Sequence, residues 1–166
     1  LPNTLESGAN KDVATATAGV APGAFNGVVA SAGETDYFKF PAKKGQVFEV
    51  HAYARNIGSP LDPVLHVGVA GGAYIAGNDD TRGPDSHLRV TSPVDGELAV
   101  WIHDHLKKGG PDYFYRIEVT PIAAKTTTDL PRVDGNNVSN QTRQTIVVPK
   151  GNRYATLVAV NRTDWG

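Results

Sequence analysis

Hydrophobic and polar residues alternate one by one along most of this chain. Between 97 and 121, ELAVWIHDHLKKGGPDYFYRIEVTP, Leu98, Val100 and Ile102 are interleaved with Ala99, Trp101 and His103. After a polar bend with Gly109, Gly110 and Pro111, Tyr113, Tyr115, Ile117 and Val119 alternate with Phe114, Arg116, Glu118 and Thr120. A period of two sends successive side chains to opposite faces of a strand. Two such runs around a glycine-rich bend predict a pair of adjacent antiparallel strands, each with one buried face. A lone hairpin is marginal in water, so the pair requires a wider sheet and a second layer over it.

The same period predicts strands at 24–30, 35–40, 46–55, 64–69, 73–76 and 87–91. In the third of these Phe48, Val50, Ala52 and Ala54 share a face, with Glu49, His51 and Arg55 opposite. About eight short strands, turn signals roughly every 8–12 residues and no amphipathic helix predict an all-β fold, an antiparallel β-sandwich of jelly-roll type. The 18 glycines and 11 prolines fall mostly at the expected turns, which fits that class. Residues 1–23, rich in small and polar side chains, read as an extended leader arm, and 24–122 as the sandwich. Residues 123–145 read as a linker, followed in 146–166 by two further strands, 146–148 and 154–160. Two strands make no core of their own. They either add to the first sandwich or open a further sandwich module.

At 166 residues the chain holds about one good core. A net charge of −1 supplies no electrostatic drive toward nucleic acid or an anionic membrane surface, and no apolar run reaches membrane-spanning length. The pairs Lys43-Lys44 and Lys107-Lys108 fall in turns and read as solvated. Without cysteine there is neither a disulfide scaffold nor a thiolate metal site. Leu1 in place of a start methionine reads as a mature or excised segment.

Chemistry-bearing patterns are few. No G-x-S-x-G or H-E-x-x-H motif is present, and the neighbours Ser86 and His87 point to opposite strand faces, so no enzymatic activity is expected. Asn78, Asp79, Asp80 and Asp85 crowd one loop, with Asp104 at the end of a neighbouring strand; this set is a candidate calcium site, because calcium takes six to eight oxygens. The competing reading has Arg82, Arg89 and backbone N–H groups satisfy those carboxylates, with Asp62 bonding a turn amide. No cofactor is required by the sequence beyond such a structural ion. His103 and His105, at i and i+2, share a strand face but lack a third metal ligand. His51, His66 and His87 fall on separate strands with no sign that they converge. Sequons stand at Asn137, Asn140 and Asn161. Trp101 and Phe114 on the outward parity of the central pair, together with Tyr37, form the candidate partner-binding face. The leader arm or the C-terminal strands are the alternative cover for these rings.

Four motifs in order carry a family likeness: GETDYFKF at 33–40, LDPVL at 61–65, the NDD…PDSHL run at 78–88 and VDGELAVWIHD at 94–104. Together they resemble the bacterial pre-peptidase C-terminal domain, over about residues 6–121. The resemblance implies a non-catalytic jelly-roll sandwich appended to secreted enzymes, often peptidases, and to large extracellular bacterial proteins. It also implies an extracytoplasmic location. Some such domains bind calcium where a leader of the form Glu-x-Glu-x-Asn-Asp meets a Gly-Asp-x-Asp turn. Here Glu6, Asn10 and Asp36 match, Glu34 replaces an aspartate, and Gly8 and Lys11 stand where the pattern has Glu and Asp. These residues form a second, weaker candidate calcium site. The C-terminal segment VVPKGNRYATLVAVNRTDWG looks like the start of a further sandwich module. The function so implied is adhesion, targeting or assembly within a larger secreted or surface protein. The alternative is an accessory C-terminal domain that helps a secreted peptidase in secretion or substrate capture. The partner expected is a protein, a polysaccharide or a neighbouring domain of the parent, with no nucleic acid and no membrane insertion.

Overall fold

Every strand expected between 24 and 121 forms within two residues of its anticipated ends. The computed structural model describes residues 1–80, 83–134, 137–140, 147–153, 155 and 157–163, with 131–134 and 137–140 described as backbone. The chain divides into two compact units, Leu1–Ile122 and Ala123–Gly166. In the first unit β1 (Asn3–Leu5), β2 (Thr17–Ala18), β3 (Gly23–Val28), β4 (Thr35–Ala42) and β5 (Val47–Tyr53) are followed by a short 3-10 turn, Arg55–Ile57. β6 (Pro63–Val69), β7 (Tyr74–Asn78), β8 (His87–Thr91), β9 (Gly96–Asp104) and β10 (Phe114–Pro121) complete it. Among the described residues no helix is long and apolar enough to cross a membrane.

These strands make two five-stranded sheets, sheet I in the order β1-β3-β10-β5-β8 and sheet II in the order β2-β4-β9-β6-β7. The expected leader arm lends an edge strand to each. β1 pairs with β3 and β2 with β4, both parallel, whereas every other pairing in the two sheets is antiparallel. Each leader strand covers backbone groups of β3 or β4 that would otherwise stand unpaired at an edge.

One sequence expectation is corrected. β9 and β10 are not paired neighbours: β9 lies between β4 and β6, and β10 lies in the other sheet between β3 and β5. Residues 105–113 carry the chain from one layer to the other. A two-residue turn would force pairing, but a connection of this length leaves it free. Backbone bonds pin it to the β3–β4 turn, Val29 N–H to Tyr113 O at 3.0 Å, Gly110 N–H to Val29 O at 2.9 Å and Gly33 N–H to Lys107 O at 3.0 Å. A Cβ on Gly109 would run into the Ser31 carbonyl, so only glycine lets the loop lie this close.

Alternation decides which side chains enter the core. Phe25, Phe38, Phe40, Phe48, Leu65, Leu98, Ile102 and Ile117 are fully buried between the sheets. Phe25 of sheet I stacks on Phe38 of sheet II at 4.8 Å between centroids, and Phe40 meets Phe48 edge-on at 5.2 Å. Aromatic contacts of this kind join the two layers and add about 0.5–1.5 kcal/mol each beyond area burial.

The second unit differs from expectation. Within the stretch expected as a linker lie β11 (Lys125–Asp129), β12 (Pro131–Asp134) and β13 (Asn137–Asn140), and β14 spans Ala159–Thr163. β11 pairs antiparallel with β14, and β12 with β13. Val147 and Val148, expected in a strand, are in irregular structure and exposed. The expected strand at 154–160 is present only at its end, in β14. Apolar alternation was a poor guide here because the strands that form, such as KTTTD, are polar on both faces. Ile146, Tyr154 and the side chains of Asn137 and Asn140 lie outside the described residues.

Candidate functional site

Strand register assembles a row of rings on the outer face of sheet II. Tyr37 on β4 and His66 on β6 stand directly opposite Trp101 on β9, one on either side. Tyr37 and Trp101 stack at 5.5 Å with planes 17° apart, and His66 and Trp101 at 5.3 Å with planes 22° apart. Tyr74 on β7 extends the row, 6.0 Å from His66 and 60% exposed. Nearly parallel rings at these distances cannot lie side by side in one plane, so their faces overlap and their edges face outward. Burial, then the charge of Asp12, raises the Tyr37 phenol, so its hydroxyl stays a neutral donor.

The structure therefore joins Tyr37 with Trp101 and separates both from Phe114. Phe114 starts β10 opposite Val28, in sheet I, and helps line a shallow depression with Leu5, Asn26 and Gly27. The expectation that Phe114 and Trp101 lie side by side rested on the hairpin pairing and falls with it. His66 and Tyr74 are members of the row that sequence reasoning missed. Their outward parity was legible, but not which strand lies next to which.

His103, on the same face as Trp101, meets His66 rather than His105. The two Nε2 atoms are 3.4 Å apart, and His103 Nδ1 lies 3.1 Å from the Asp104 carbonyl oxygen. Burial and the neighbouring His103 lower the His66 pKa, keeping it neutral at pH 7. His105 Nδ1 instead pairs with Asp79 at 2.8 Å. On the outer face of sheet I, His51 and His87 are directly opposite one another, and His87 pairs with Glu49.

A second cluster gathers where the leader meets β4. Lys11 Nζ bonds Asp36 Oδ1 at 2.7 Å and also pairs with Glu34, and the Tyr115 hydroxyl donates to Asp36 Oδ2 at 2.8 Å. Glu6 Oε1 accepts the Val28 N–H at 2.9 Å while its Oε2 is buried without a partner. Asn10 is fully buried, its carbonyl taken by Tyr37 N–H at 2.7 Å and its side-chain amide unpartnered. Gly27 makes room, since a Cβ there would collide with the Tyr115 hydroxyl and the Glu6 carboxyl. Burial outweighs the Lys11 and Tyr115 hydrogen bonds and pushes Asp36 up to about 6. Burial and the adjacent carboxylates drive the Tyr115 phenol far upward.

The acidic-loop residues split by role. Asp85 is buried, and its two oxygens accept the Arg55 and Asn56 N–H groups at 2.8 and 3.2 Å, opening the 3-10 turn. Asp104, also buried, accepts Asp62 N–H at 3.0 Å and Lys108 N–H at 2.9 Å. Asn78 Oδ1 takes the His87 N–H at 3.0 Å. Asp79 and Asp80 come together with Asp62, each offering one oxygen within 4.8 Å of the others. Asp62, expected to bond a turn amide, pairs with Arg55 at 3.0 Å. Arg82 lies outside the described residues. Asp85→Ala should cost about 1–3 kcal/mol in a urea melt by removing the buried carboxylate that accepts both turn N–H groups; a loss under about 0.5 kcal/mol would contradict this capping role.

No family model matches the chain. It is 38% identical over 64 residues to a probable subtilase-type serine protease of Deinococcus radiodurans, a match covering 38% of this chain and 9% of that protein. Among solved structures, the pre-peptidase C-terminal domain of a Bacillus anthracis collagenase superposes with a TM-score of 0.51 at 11% identity, covering 63% of this chain and 94% of that domain. The fold is that of a pre-peptidase C-terminal domain. A periplasmic inhibitor of g-type lysozyme from Aeromonas hydrophila has the same sandwich, with a TM-score of 0.50 at 15% identity, over 72% of this chain and 99% of that one.

The calcium that the pre-peptidase resemblance implies does not fit the leader cluster. Two of its three carboxylates are already bonded to an ammonium group, with Lys11 held between Glu34 and Asp36. A divalent ion placed among the same oxygens would meet that positive charge at close range. The pKa of Lys11 is raised and that of Glu34 lowered by this pairing, against the burial that opposes both charges.

Proposed function

We propose that this pre-peptidase-like domain is a non-catalytic, extracytoplasmic binding module of a larger protein, and that the outer face of sheet II holds its partner. The observation that carries this reading is the half-exposed stack Tyr37–Trp101–His66 with Tyr74 beside it, four rings from four neighbouring strands. Tyr and Trp are concentrated in protein interfaces, where they bring large area at little entropic cost. The partner is a protein. A sugar ring stacks on an open aromatic face, and here the faces of Trp101 cover, and are covered by, Tyr37 and His66. The fold shared with a collagenase domain and a periplasmic inhibitor supports the extracytoplasmic location.

Retention on immobilised fibrous proteins (collagen, gelatin, elastin) and on insoluble polysaccharides (cellulose, chitin, peptidoglycan) tests this reading. Wild type is expected to be retained on protein, and Trp101→Ala and Tyr37→Ala to lose at least about tenfold in affinity, as interface aromatics do. Retention on polysaccharide alone, or on protein unchanged in both variants, would end the proposal. We further propose that no calcium is needed for the fold, because Lys11 supplies the leader cluster's positive charge and Arg55 and His105 pair with Asp62 and Asp79 of the other acidic group. Excess EDTA should leave the melting temperature unchanged.

The similarity to a subtilase-type protease favours one other reading, an accessory domain that captures substrate for a peptidase. Removing the module from a parent protein that carries such a catalytic domain should then slow cleavage of large protein substrates and leave hydrolysis of short peptides unchanged.

A further inference from the structure

We propose that His66 and His103 form a two-imidazole binding site for a transition-metal ion of the Cu²⁺ or Zn²⁺ class on the outer face of sheet II. Their Nε2 atoms are 3.4 Å apart and their ring centroids 5.3 Å apart. Two nitrogens at about 2.0–2.1 Å from a tetrahedral ion are separated by about 3.4 Å, which is the separation here. The centroids are less than 2 Å farther apart than the nitrogens. Ring axes that meet at a common point give that difference when the point lies about 2 Å beyond each nitrogen.

The surroundings prepare both ligands. His103 Nδ1 is placed to donate to the Asp104 carbonyl at 3.1 Å, which leaves the lone pair on Nε2. Asp104 is itself held by Asp62 and Lys108 N–H groups, so the carbonyl that orients His103 belongs to a fixed strand end. His66 is clamped against Trp101, and its Nδ1 is buried without a partner. A metal on Nε2 would leave Nδ1 carrying the proton, with the Tyr74 hydroxyl nearby: both flank the same point above Gly77. Two protein ligands leave two tetrahedral positions for water or a partner's side chain.

The test uses the 166-residue chain with Trp165→Phe, which leaves Trp101 as its one tryptophan. Because His66 stacks on Trp101, Cu²⁺ bound at His66 should quench its fluorescence with one-to-one saturation. Zn²⁺ should compete more weakly, following the usual order of affinities, and Ca²⁺ and Mg²⁺ not at all. His66→Gln and His103→Gln should each weaken binding at least about tenfold, whereas His51→Gln, His87→Gln and His105→Gln should leave it unchanged. Should a glutamine variant fail to fold, imidazole ¹⁵N spectra of the wild-type chain decide: Zn²⁺ must shift Nε2 of His66 and His103 together. Unsaturable quenching, quenching that survives His66→Gln, shifts confined to other histidines, or loss through His51, His87 or His105 would each overturn the site. The measurement needs no protein partner, so it stands or falls separately from the binding role.

Discussion

Phe38→Ala is expected to destabilise the sandwich by about 3–5 kcal/mol, the range for losing a buried phenylalanine. Phe38 is fully buried, stacks on Phe25 at 4.8 Å and meets the edge of Tyr115 at 6.3 Å. It projects from sheet II while both contacts belong to sheet I, so its removal opens a cavity between the layers. Neither sheet can move to fill that space without disturbing the phenol–carboxylate bond of Tyr115 with Asp36. Against a total stability of about 5–15 kcal/mol, the loss should lower the melting temperature by about 12–20 °C. Circular dichroism melts of Phe38→Ala and of Tyr37→Ala, its outward neighbour, provide the comparison. If the two variants melted within a few degrees of each other, Phe38 would not be the joint between the layers.

Asp36 should make the protein more stable in mild acid than at neutral pH. Burial raises its carboxyl from the ordinary value of 3.8 to about 6, despite the Lys11 and Tyr115 hydrogen bonds. The folded protein therefore takes up a proton that the unfolded chain releases between those values. The contribution is fully present below pH 4 and is lost as pH rises through 6. Glu34 acts in the opposite sense: its pKa is lowered, so its contribution is present above about 4.5 and lost as pH falls. His66, also lowered, likewise loses stability on acidification, below about 6.5. Subtracting the profile of Asp36→Asn, which keeps Glu34 and His66, isolates the one carboxyl. Between pH 4.5 and 7 the difference in unfolding free energy should change by about 2 kcal/mol, wild type losing ground as pH rises. Lys11→Met removes a hydrogen bond that favours the charged form and should carry the slope to higher pH. Parallel profiles for wild type and Asp36→Asn across that window would show that Asp36 is ionised throughout.

Much of the sandwich could be read from one-residue alternation, because parity is a local property. Phe38 and Phe40 inward with Tyr37 outward, or Leu65 and Val67 inward with His66 outward, follow from a period of two and an apolar interior. The motif likeness named the fold that the structure has. It did not carry residue roles with it, since Lys11 occupies a place where the resemblance anticipates a calcium ligand.

Pairing was a different matter. Leu98 and Tyr115 each face the core in either arrangement, paired in one sheet or apart in two, so alternation could not place β9 and β10. The tertiary structure chose opposite layers and thereby sent Phe114 away from Trp101. The same choice brought His66, which sequence left isolated, to His103 and withdrew His105 to Asp79. It also placed Asp85 and Asp104 as acceptors for turn amides. What one chain by itself determined was which side of a strand each residue occupies, a consequence of backbone geometry at neighbouring positions. Which residues meet was decided by register between strands distant in sequence, where the burial of whole sheet faces, rather than any local preference, selects the partner.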